Sequence, residues 1–271
     1  MKSRPPKRPW VRYAPGIALV AVPLLLALIG PLWAGPAGPR SLSFSVPSGP
    51  DHWLGTDFTG RDVGRQVLLG GRSVVLVALG ATLLAYLVAL PVGLAAALTR
   101  RTWLEEALMR PLDVLIAVPS LLLVLLVAAA FRPGPVALTA LVGLAAVPDA
   151  ARVVHAAAVE VSARPAVEAL RMQGESWWRT ALGYVARSMR RTLAADAGIR
   201  LTGALYLVAT AAFLGVGVQP DAADWAVMVD RNRNGLLLQP WAAVVPALLI
   251  AALSMGANLL FDAALQEEEA R

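Results

Sequence analysis

The residue types best suited to chemistry gather in one polar stretch, H-W-L-G-T-D-F-T-G-R-D, from His52 to Asp62. His52, Asp57 and Asp62 supply an imidazole and two carboxylates, which are ligand types for divalent metals. Their spacing matches no established metal-binding motif, so the pattern favours a structural turn over a metal site. We therefore expect no metal in this chain.

The glycines of the same stretch predict a tight turn. Gly55 and Gly60 free the backbone, and Thr56 and Asp57 carry short polar side chains that cap nearby amides. Arg61 follows Asp57 by four residues, so these two side chains would pair if the segment were helical.

Several classes of enzyme are excluded by residues that the sequence lacks. The only lysines are Lys2 and Lys7, so the lysine-containing phosphate loop of ATPases cannot form. The only histidines are His52 and His155, which excludes the metalloprotease pattern H-E-x-x-H, and neither G-x-S-x-G nor cysteine occurs. His155 lies beside Arg152 in a polar flank, where we expect it to be solvated. We expect no catalytic residue here.

The composition indicates an integral membrane protein. Hydrophobic residues make up 58% of the chain and charged residues 15%, whereas soluble domains carry about 45–50% and about 25%. The excess lies in long apolar runs, as in helices that cross a membrane. The net charge of +6 comes without a clustered aromatic and basic surface, so membrane lipid rather than nucleic acid is the expected partner.

The apolar runs predict an all-α polytopic membrane protein with six transmembrane helices of about 20 residues. The transmembrane domain would cover residues 14–265, with spans at 14–33, 73–98, 114–131, 136–151, 194–218 and 241–261. A basic N-terminal tail, 1–13, and a short tail, 266–271, are expected in the cytoplasm, because positively charged flanks stay inside. A signal peptide cleaved near Leu32-Trp33-Ala34 is a weaker alternative for the first run.

Ionisable residues near the spans are expected to be paired or solvated, because an unpaired ion inside the bilayer is costly. Asp196 and Arg200 lie four residues apart and should pair or face water. Arg110 and Asp113 could form a functional pair in a transport path, but the favoured interpretation is a solvated helix start.

The longest polar segment between the apolar runs is residues 152–193, and it contains seven arginines. Within it, A-V-E-A-L-R-M-Q-G, Ala166 to Gly174, is rich in helix formers, and Gly174 is suited to end that helix. A second helix is expected from Glu175 onward. The short helix would either lie at the lipid interface or dock in a groove of a partner protein.

This short helix resembles the EAA loop of bacterial ABC importer permeases, which forms the coupling helix that docks on the ATPase subunit. The family pattern is E-A-A-x-x-x-G and, nine residues later, I-x-L-P. The first half is matched, with leucine for the second alanine, by Glu168, Ala169, Leu170 and Gly174. The second half departs from the pattern at Tyr184, Ala186 and Arg187. The resemblance implies that residues 152–193 form a cytoplasmic coupling loop.

The stretch from His52 to Asp62 resembles H-P-L-G-T-D-x-x-G-R-D, found in the dipeptide, oligopeptide and nickel branch of these permeases. The resemblance assigns to this extracytoplasmic motif Gly55, Thr56, Asp57, Gly60, Arg61 and Asp62. Three further stretches resemble the same branch: Leu108–Leu123, Trp225–Met228 and Asn258–Asp262.

The resemblance implies a type I ABC importer permease fold in the bacterial inner membrane, with both termini in the cytoplasm. The partners would be a second homologous permease chain, two ATPase subunits and an extracytoplasmic substrate-binding protein. ATP and Mg²⁺ would bind to the ATPase subunits, so no cofactor is expected in this chain. Di- and oligopeptides are the expected substrates, and nickel or another small solute is the alternative.

Two other classes of membrane protein are weaker hypotheses. A secondary transporter would need ionisable groups at the centres of the spans, where this sequence has almost none. A membrane scaffold would show the same spans without an ATPase partner.

Overall fold

The fold is helical in the part of the chain that the structure describes. The computed structural model describes residues 9–47, 52–131, 133–217 and 222–269. The helices in these ranges are α1 (Pro9–Trp33), α2 (Val63–Leu98), α3 (Thr102–Ile116), α4 (Ser120–Phe131), α5 (Pro135–Ser162), α6 (Pro165–Met172), α7 (Arg190–Phe213), α8 (Trp225–Asn232) and α9 (Trp241–Glu269). A π-helical segment, Arg179–Ala186, precedes α7, and a 3₁₀ turn, Arg233–Gly235, follows α8.

Four of the described helices are long and apolar enough to cross a membrane: α1 over Tyr13–Trp33, α2, α5, and α9 over Trp241–Phe261. A fifth span results if α3 and α4 are taken together, although the two bend by 81° at the break between them. The helix α7 covers most of the run predicted at 194–218 but does not reach the same apolarity. The prediction of an all-α membrane protein is confirmed, whereas the count of six spans stays a prediction.

Two helices have bounds that differ from those of the predicted spans, because of local capping and proline effects. The helix α2 begins at Val63 rather than at residue 73, since Asp62 caps it by accepting a hydrogen bond from the Arg65 amide at 2.7 Å. The run predicted as one helix at 114–131 is broken, because Pro119 disfavours the helical conformation of the residue before it. Residues 102–113, which lie between the second and third predicted spans, belong to helix α3.

The run predicted at 136–151 is also longer than expected, because α5 continues through Pro148 to Ser162. The predicted coupling loop, 152–193, consequently begins inside α5 and ends inside α7. The described parts of the two predicted tails are likewise helical, in α1 and α9. Residues 1–8 and 270–271 of these tails, and residue 218 of the predicted fifth span, lie outside the described residues.

The most extensive contact between helices joins α2 and α5. Small residues allow the close approach: a Cβ atom on Gly93 would lie 2.6 Å from Val154 Cγ1, and one on Gly143 would lie 2.9 Å from the Ala81 carbonyl oxygen. Small residues are the usual means by which membrane helices pack closely. The two helices therefore form a tightly packed pair.

The N-terminal part of α2 is fixed by the side chain of Trp225 at the start of α8. The indole is fully buried, and its Nε1 donates a hydrogen bond to the Val67 carbonyl oxygen at 2.8 Å. Its ring lies so close to Gly71 that a Cβ there would stand 2.4 Å from the ring and 2.8 Å from Ala27 Cβ of α1. The residue thus packs α8 against both α1 and α2.

Replacing this buried indole tests its importance for stability. Trp225→Ala is expected to lower the free energy of unfolding by about 3–5 kcal/mol, because it empties a fully buried site. Trp103→Ala is the matched control, since Trp103 is 61% exposed, and should change stability by about 0.5 kcal/mol or less. Thermal unfolding in detergent measures both, and equal shifts would refute the role given to Trp225.

Candidate functional site

The short helix α6 ends in a Schellman motif. Gly174 has a φ of +75°, and its N–H donates to the Arg171 carbonyl oxygen at 3.1 Å. The Glu175 N–H donates to the Leu170 carbonyl oxygen at 3.1 Å, which completes the pair of bonds typical of this helix end. The helix and its glycine termination, predicted from the sequence, are both confirmed.

The helix α6 packs on the protein mainly through one side chain, and its other side chains are partly or fully exposed. Val167 is fully buried, in a cluster with apolar residues of α2, α5 and the π-helical segment. The other residues matched to the family pattern lie around it: Glu168 and Gly174 are exposed, and Ala169 and Leu170 are partly buried. The outer face of α6 is therefore available to a partner.

A second link ties α6 to the end of α2. The Arg171 Nη2 atom donates to the Leu98 carbonyl oxygen at 3.3 Å. Leu98 is the last residue of α2, and the last four carbonyl groups of an α-helix receive no hydrogen bond from the helix itself. The helix α6 is therefore attached to the end of α2 by a hydrogen bond as well as by packing.

An exposed apolar patch follows α6. The Trp177 and Trp178 rings meet edge to face with their centroids 4.7 Å apart, and Trp178 and Met172 are 65% and 78% exposed. Glu175 and Arg179 form an ion pair at 3.0 Å beside these rings in the sequence. These exposed apolar side chains suit either of the two surroundings expected for this region, the lipid interface or a partner protein.

The motif from His52 to Asp62 is a turn built around the Asp57 carboxylate. One oxygen, Oδ1, accepts hydrogen bonds from the Thr59 amide at 2.8 Å, the Thr59 hydroxyl at 2.7 Å and the Arg61 amide at 2.9 Å. Asp57 is only 6% exposed. The predicted capping role is confirmed, and Arg61 meets Asp57 through its backbone N–H because the segment is a turn and not a helix.

Both glycines of the motif have left-handed backbone conformations, with φ of +75° at Gly55 and +76° at Gly60. Each also lies against the preceding segment: a Cβ atom would stand 2.4 Å from the Ser45 carbonyl oxygen and 2.0 Å from the Ser41 carbonyl oxygen, respectively. The Thr56 hydroxyl is part of the same contact, since it accepts a hydrogen bond from the Ser45 amide at 2.8 Å. The motif is thus folded against residues 41–45.

Two buried amide side chains, which the sequence analysis missed, hold the motif to α8 and α9. Asn232 Oδ1 accepts a hydrogen bond from the Phe58 amide at 3.0 Å. Gln239 Nε2 donates to the Leu54 carbonyl oxygen, and its Oε1 accepts from the Ala242 amide at 3.0 Å. Both side chains are almost fully buried. In the sequence, Asn232 and Gln239 stand at the ends of predicted or neighbouring helices. Amide side chains are common at such positions, so the sequence could not identify these two contacts.

The three potential metal ligands of this stretch have other roles. Asp62 Oδ2 caps α2, and its Oδ1 lies 3.7 Å from His52 Nδ1. Asp57 is engaged by backbone amides. Within the described ranges, no group of three His, Cys, Asp or Glu residues is arranged to hold a metal ion.

Asp224 is a further structural residue near the N-terminal part of α2, and it caps α8. Its Oδ1 accepts hydrogen bonds from the Ala226 amide at 2.9 Å and the Val227 amide at 3.3 Å, and the Ser73 hydroxyl donates to its other oxygen. Burial raises the pKa of Asp224 above its ordinary value, and the bonds from Ser73 and the two amides oppose that rise. The sequence signal was an aspartate directly before an apolar helix.

Side-chain contacts join α3 to α5 at the other end of the molecule. Arg152 Nε donates to Asp113 Oδ1 at 2.7 Å, and His155 Nε2 lies 3.1 Å from Glu105 Oε1. The helix start predicted at Arg110 and Asp113 is wrong, because both lie in the second half of α3, but their side chains are 75% and 39% exposed. The solvated position predicted for His155 is wrong, since only 20% of its side chain is exposed.

A polar network joins α2, α5 and α7. Arg200 Nη2 lies 3.1 Å from Asp196 Oδ1, which confirms the predicted pair. The Tyr86 hydroxyl donates to Asp196, and Arg200 Nη1 lies 3.5 Å from Asp149 Oδ2. Asp196 and Arg200 are largely buried and neutralise each other, as burial requires, whereas Asp149 is half exposed.

Residues 89–266 match the family model described as binding-protein-dependent transport system inner membrane component. The chain is 28% identical over 249 residues to the probable D,D-dipeptide transport system permease protein DdpC of Escherichia coli K12, covering 90% of this chain and 83% of the relative. It is 30% identical to a putative peptide permease protein of Brucella abortus, covering 89% and 81%. It is 27% identical to the glutathione transport system permease protein GsiD of Pectobacterium atrosepticum, covering 78% and 70%.

The fold is similar to that of a chain in an inward-facing structure of the MetNI methionine ABC transporter. The TM-score is 0.59 at 17% sequence identity, and the match covers 80% of this chain and 99% of that chain.

Paired glycine substitutions test the turn between His52 and Asp62. Gly60→Ala is expected to lower the free energy of unfolding by more than about 2 kcal/mol, because it adds a steric contact with Ser41 to the cost of a left-handed backbone. Gly35→Ala is the matched control: φ is +58° there, and no described atom lies within 4 Å of the added Cβ. It should cost only about 1–2 kcal/mol. Equal losses in thermal unfolding would contradict the close contact.

The raised pKa of Asp224 predicts a pH dependence of stability. A carboxyl group whose pKa is higher in the folded state favours folding most when protonated, so stability falls as pH rises through the folded pKa. Asp224→Asn keeps an acceptor for the α8 amides and cannot ionise, so its melting temperature should lack this decline. Ser73→Ala should steepen the decline, because it removes a bond that favours the carboxylate. Parallel pH profiles of all three proteins would exclude the explanation.

Proposed function

This chain belongs to the family of binding-protein-dependent transport system inner membrane components, and we propose that it forms half of the translocation pore of an ATP-driven peptide importer. It is a permease and not an enzyme, so the ATP hydrolysis that drives import belongs to partner subunits. The family expected from the two sequence motifs is thereby confirmed.

Di- and oligopeptides are the proposed substrates. The three relatives described above are permeases for D,D-dipeptides, peptides and glutathione. Each of them aligns with more than two thirds of this chain. The shared chemistry of these solutes is the peptide bond, which a common pore can accommodate.

The observation that carries the proposal is the outward face of α6. Glu168 and Gly174 are exposed on a helix that is fixed to the body by Val167 and Arg171. A helix with a fixed inner side and a free outer side is suited to fit a groove on another protein. We infer that Glu168, Ala169, Leu170 and Gly174 dock on an ATPase subunit and transmit its motion to the spans.

The proposed topology has six spans: α1, α2, the bent pair of α3 and α4, α5, α7 and α9. The lower apolarity of α7 is compatible with a span, because its charged pair is buried against α2 and α5 and does not face lipid. An even number of spans puts both termini on one side. The basic N-terminal residues favour the cytoplasm for that side.

The proposed assembly contains this chain, a second homologous permease chain, two ATPase subunits and an extracytoplasmic binding protein. The family description supports a binding protein as the source of substrate. The motif from His52 to Asp62 lies at the end of the molecule opposite α6 and at the start of α2. We infer that it holds the pore entrance on the side where the binding protein delivers substrate.

Substitutions on α6 test the docking role. Glu168→Lys reverses an exposed charge, and Gly174→Pro is incompatible with a φ of +75°. Both are expected to lower uptake of labelled dipeptide by at least about tenfold, which corresponds to about 1.4 kcal/mol of coupling. The amount of protein in the membrane should not change.

Glu160→Lys is the matched control, since Glu160 is an exposed glutamate on α5 with 80% of its side chain accessible. It should leave dipeptide uptake close to that of the parent protein. Normal uptake in both α6 variants would refute the docking assignment. If cells without this chain lost uptake of labelled nickel but kept uptake of dipeptide, the substrate would be a metal and not a peptide.

A further inference from the structure

An ion pair joins the middle of α5 to α7. The Arg200 Nη1 atom lies 3.5 Å from Asp149 Oδ2. Asp149 lies about 21 Å along α5 from Pro135, and Arg200 lies about 15 Å along α7 from Arg190. Both residues are therefore well inside helices that the proposed topology places across the membrane.

The two partners of this pair differ in their exposure. Only 18% of the Arg200 side chain is accessible, whereas 51% of the Asp149 side chain is. An ionised carboxylate that faced hydrocarbon would be costly, so the exposed side of Asp149 must meet water or a polar group of a neighbouring chain. The Asp149 carboxylate can consequently leave Arg200 without being exposed to lipid.

Arg200 keeps a second carboxylate when Asp149 leaves. Its Nη2 atom lies 3.1 Å from Asp196 Oδ1, and its Nε atom lies 3.4 Å from Asp196 Oδ2, on the same helix. The Tyr86 hydroxyl of α2 also donates to Asp196 and holds that carboxylate in place. Opening of the contact with Asp149 therefore leaves no unpaired charge on α7, and so the large cost of stranding a buried ion is avoided.

The ion pair connects the two helices that flank α6 in the chain. Only two residues separate the end of α5 from the start of α6, and the π-helical segment after α6 leads into α7. The Met189 N–H donates to the Val185 carbonyl oxygen at 3.1 Å, and the Leu193 N–H donates to the Met189 carbonyl oxygen at 3.0 Å, so the helical hydrogen bonding continues across that junction. A displacement of α6 would consequently reach both members of the pair.

The packing of α7 favours a displacement between α5 and α7 over one between α5 and α2. The contact between α5 and α7 is much less extensive than that between α2 and α5. The latter pair is held by close approaches such as that of Gly93 to Val154. Small sliding motions between packed helices are a common form of conformational change. Such a motion at the less extensive contact would act directly on the Asp149–Arg200 pair.

We propose that the Asp149–Arg200 pair is an ionic lock, closed in one state of the transport cycle and open in another. The inference rests on the proposed function, and it makes Asp149 and Arg200 positioning residues that tie ATP hydrolysis to peptide import. The lock holds the two helices that flank α6 in a fixed relation. An element with two discrete arrangements is what coupling between distant sites requires.

Asp149→Asn tests the lock, because it removes the charge at nearly constant size. In the assembled transporter in proteoliposomes, ATP hydrolysis without binding protein and dipeptide should rise at least about twofold, and dipeptide imported per ATP should fall by at least about twofold. Asp149→Glu keeps the charge and should restore most of this ratio. The ratio does not depend on how much protein is folded, so a merely structural role would not change it.

Glu160→Gln is the matched control, since Glu160 is a glutamate on the same helix with 80% of its side chain exposed. It should leave both ATP hydrolysis and dipeptide import per ATP as in the parent. Equal losses in Asp149→Asn and Glu160→Gln would overturn the inference, and so would equal losses in Asp149→Asn and Asp149→Glu.

A double-mutant cycle isolates the contact between the two residues. Arg200→Lys keeps a positive charge beside Asp196 but lacks the planar fork that reaches both carboxylates. It should lower dipeptide import per ATP about as much as Asp149→Asn, and the double variant should lose no more than either single variant, because both changes remove the same contact. Losses that multiply in the double variant would overturn the inference.

The parent transporter separates this inference from the proposed function. Absence of dipeptide uptake by the parent would refute peptide import itself. Dipeptide uptake by the parent together with an unchanged import per ATP in Asp149→Asn would overturn the ionic lock alone.

Discussion

The close contact between α2 and α5 is the constraint on which both candidate functional regions depend. At one end of α2, Asp62 caps the first turn and belongs to the motif from His52 to Asp62. At the other end, the Leu98 carbonyl group accepts a hydrogen bond from Arg171 of α6. The helix has 36 residues and is about 54 Å long, so one rigid element connects the two regions. Its partner α5 leads directly into α6, and the glycine contacts between the pair leave little room for sliding.

Local features of both regions followed from the sequence because they depend on residues close together in the chain. The turns at Gly55 and Gly60, the capping by Asp57 and the glycine end of α6 are short-range effects of this kind. The break at Pro119 was also a local signal, but the surrounding apolar run concealed it. By contrast, Asn232 and Gln239 act on a segment more than 170 residues away, and no property of either residue indicates which amide it will meet. The same holds for Tyr86 and Asp149 in the network around Arg200.

The unusual composition of α7 follows from the different surroundings of its faces. One face carries Asp196 and Arg200, which are neutralised by each other and by α2 and α5. Another face carries Thr202, Tyr206 and Thr210, at helical spacing. Ionisable groups that faced lipid would be costly, so the first face must lie against other helices. The lower apolarity of α7 is thus explained by the helices that it packs against.

The departure from the family pattern at Tyr184, Ala186 and Arg187 has a structural explanation. These residues lie in and just after the π-helical segment, and Val185 between them is fully buried in the cluster that also contains Val167 of α6. The pattern usually has a proline where this chain has Arg187, and a proline there would lack the N–H that Arg187 donates to the Tyr184 carbonyl oxygen. Because residue 187 is not a proline, helical backbone continues almost to α7. Val185 and Val167 lie in the same buried cluster, so α6 still packs against this segment although its sequence departs from the family pattern.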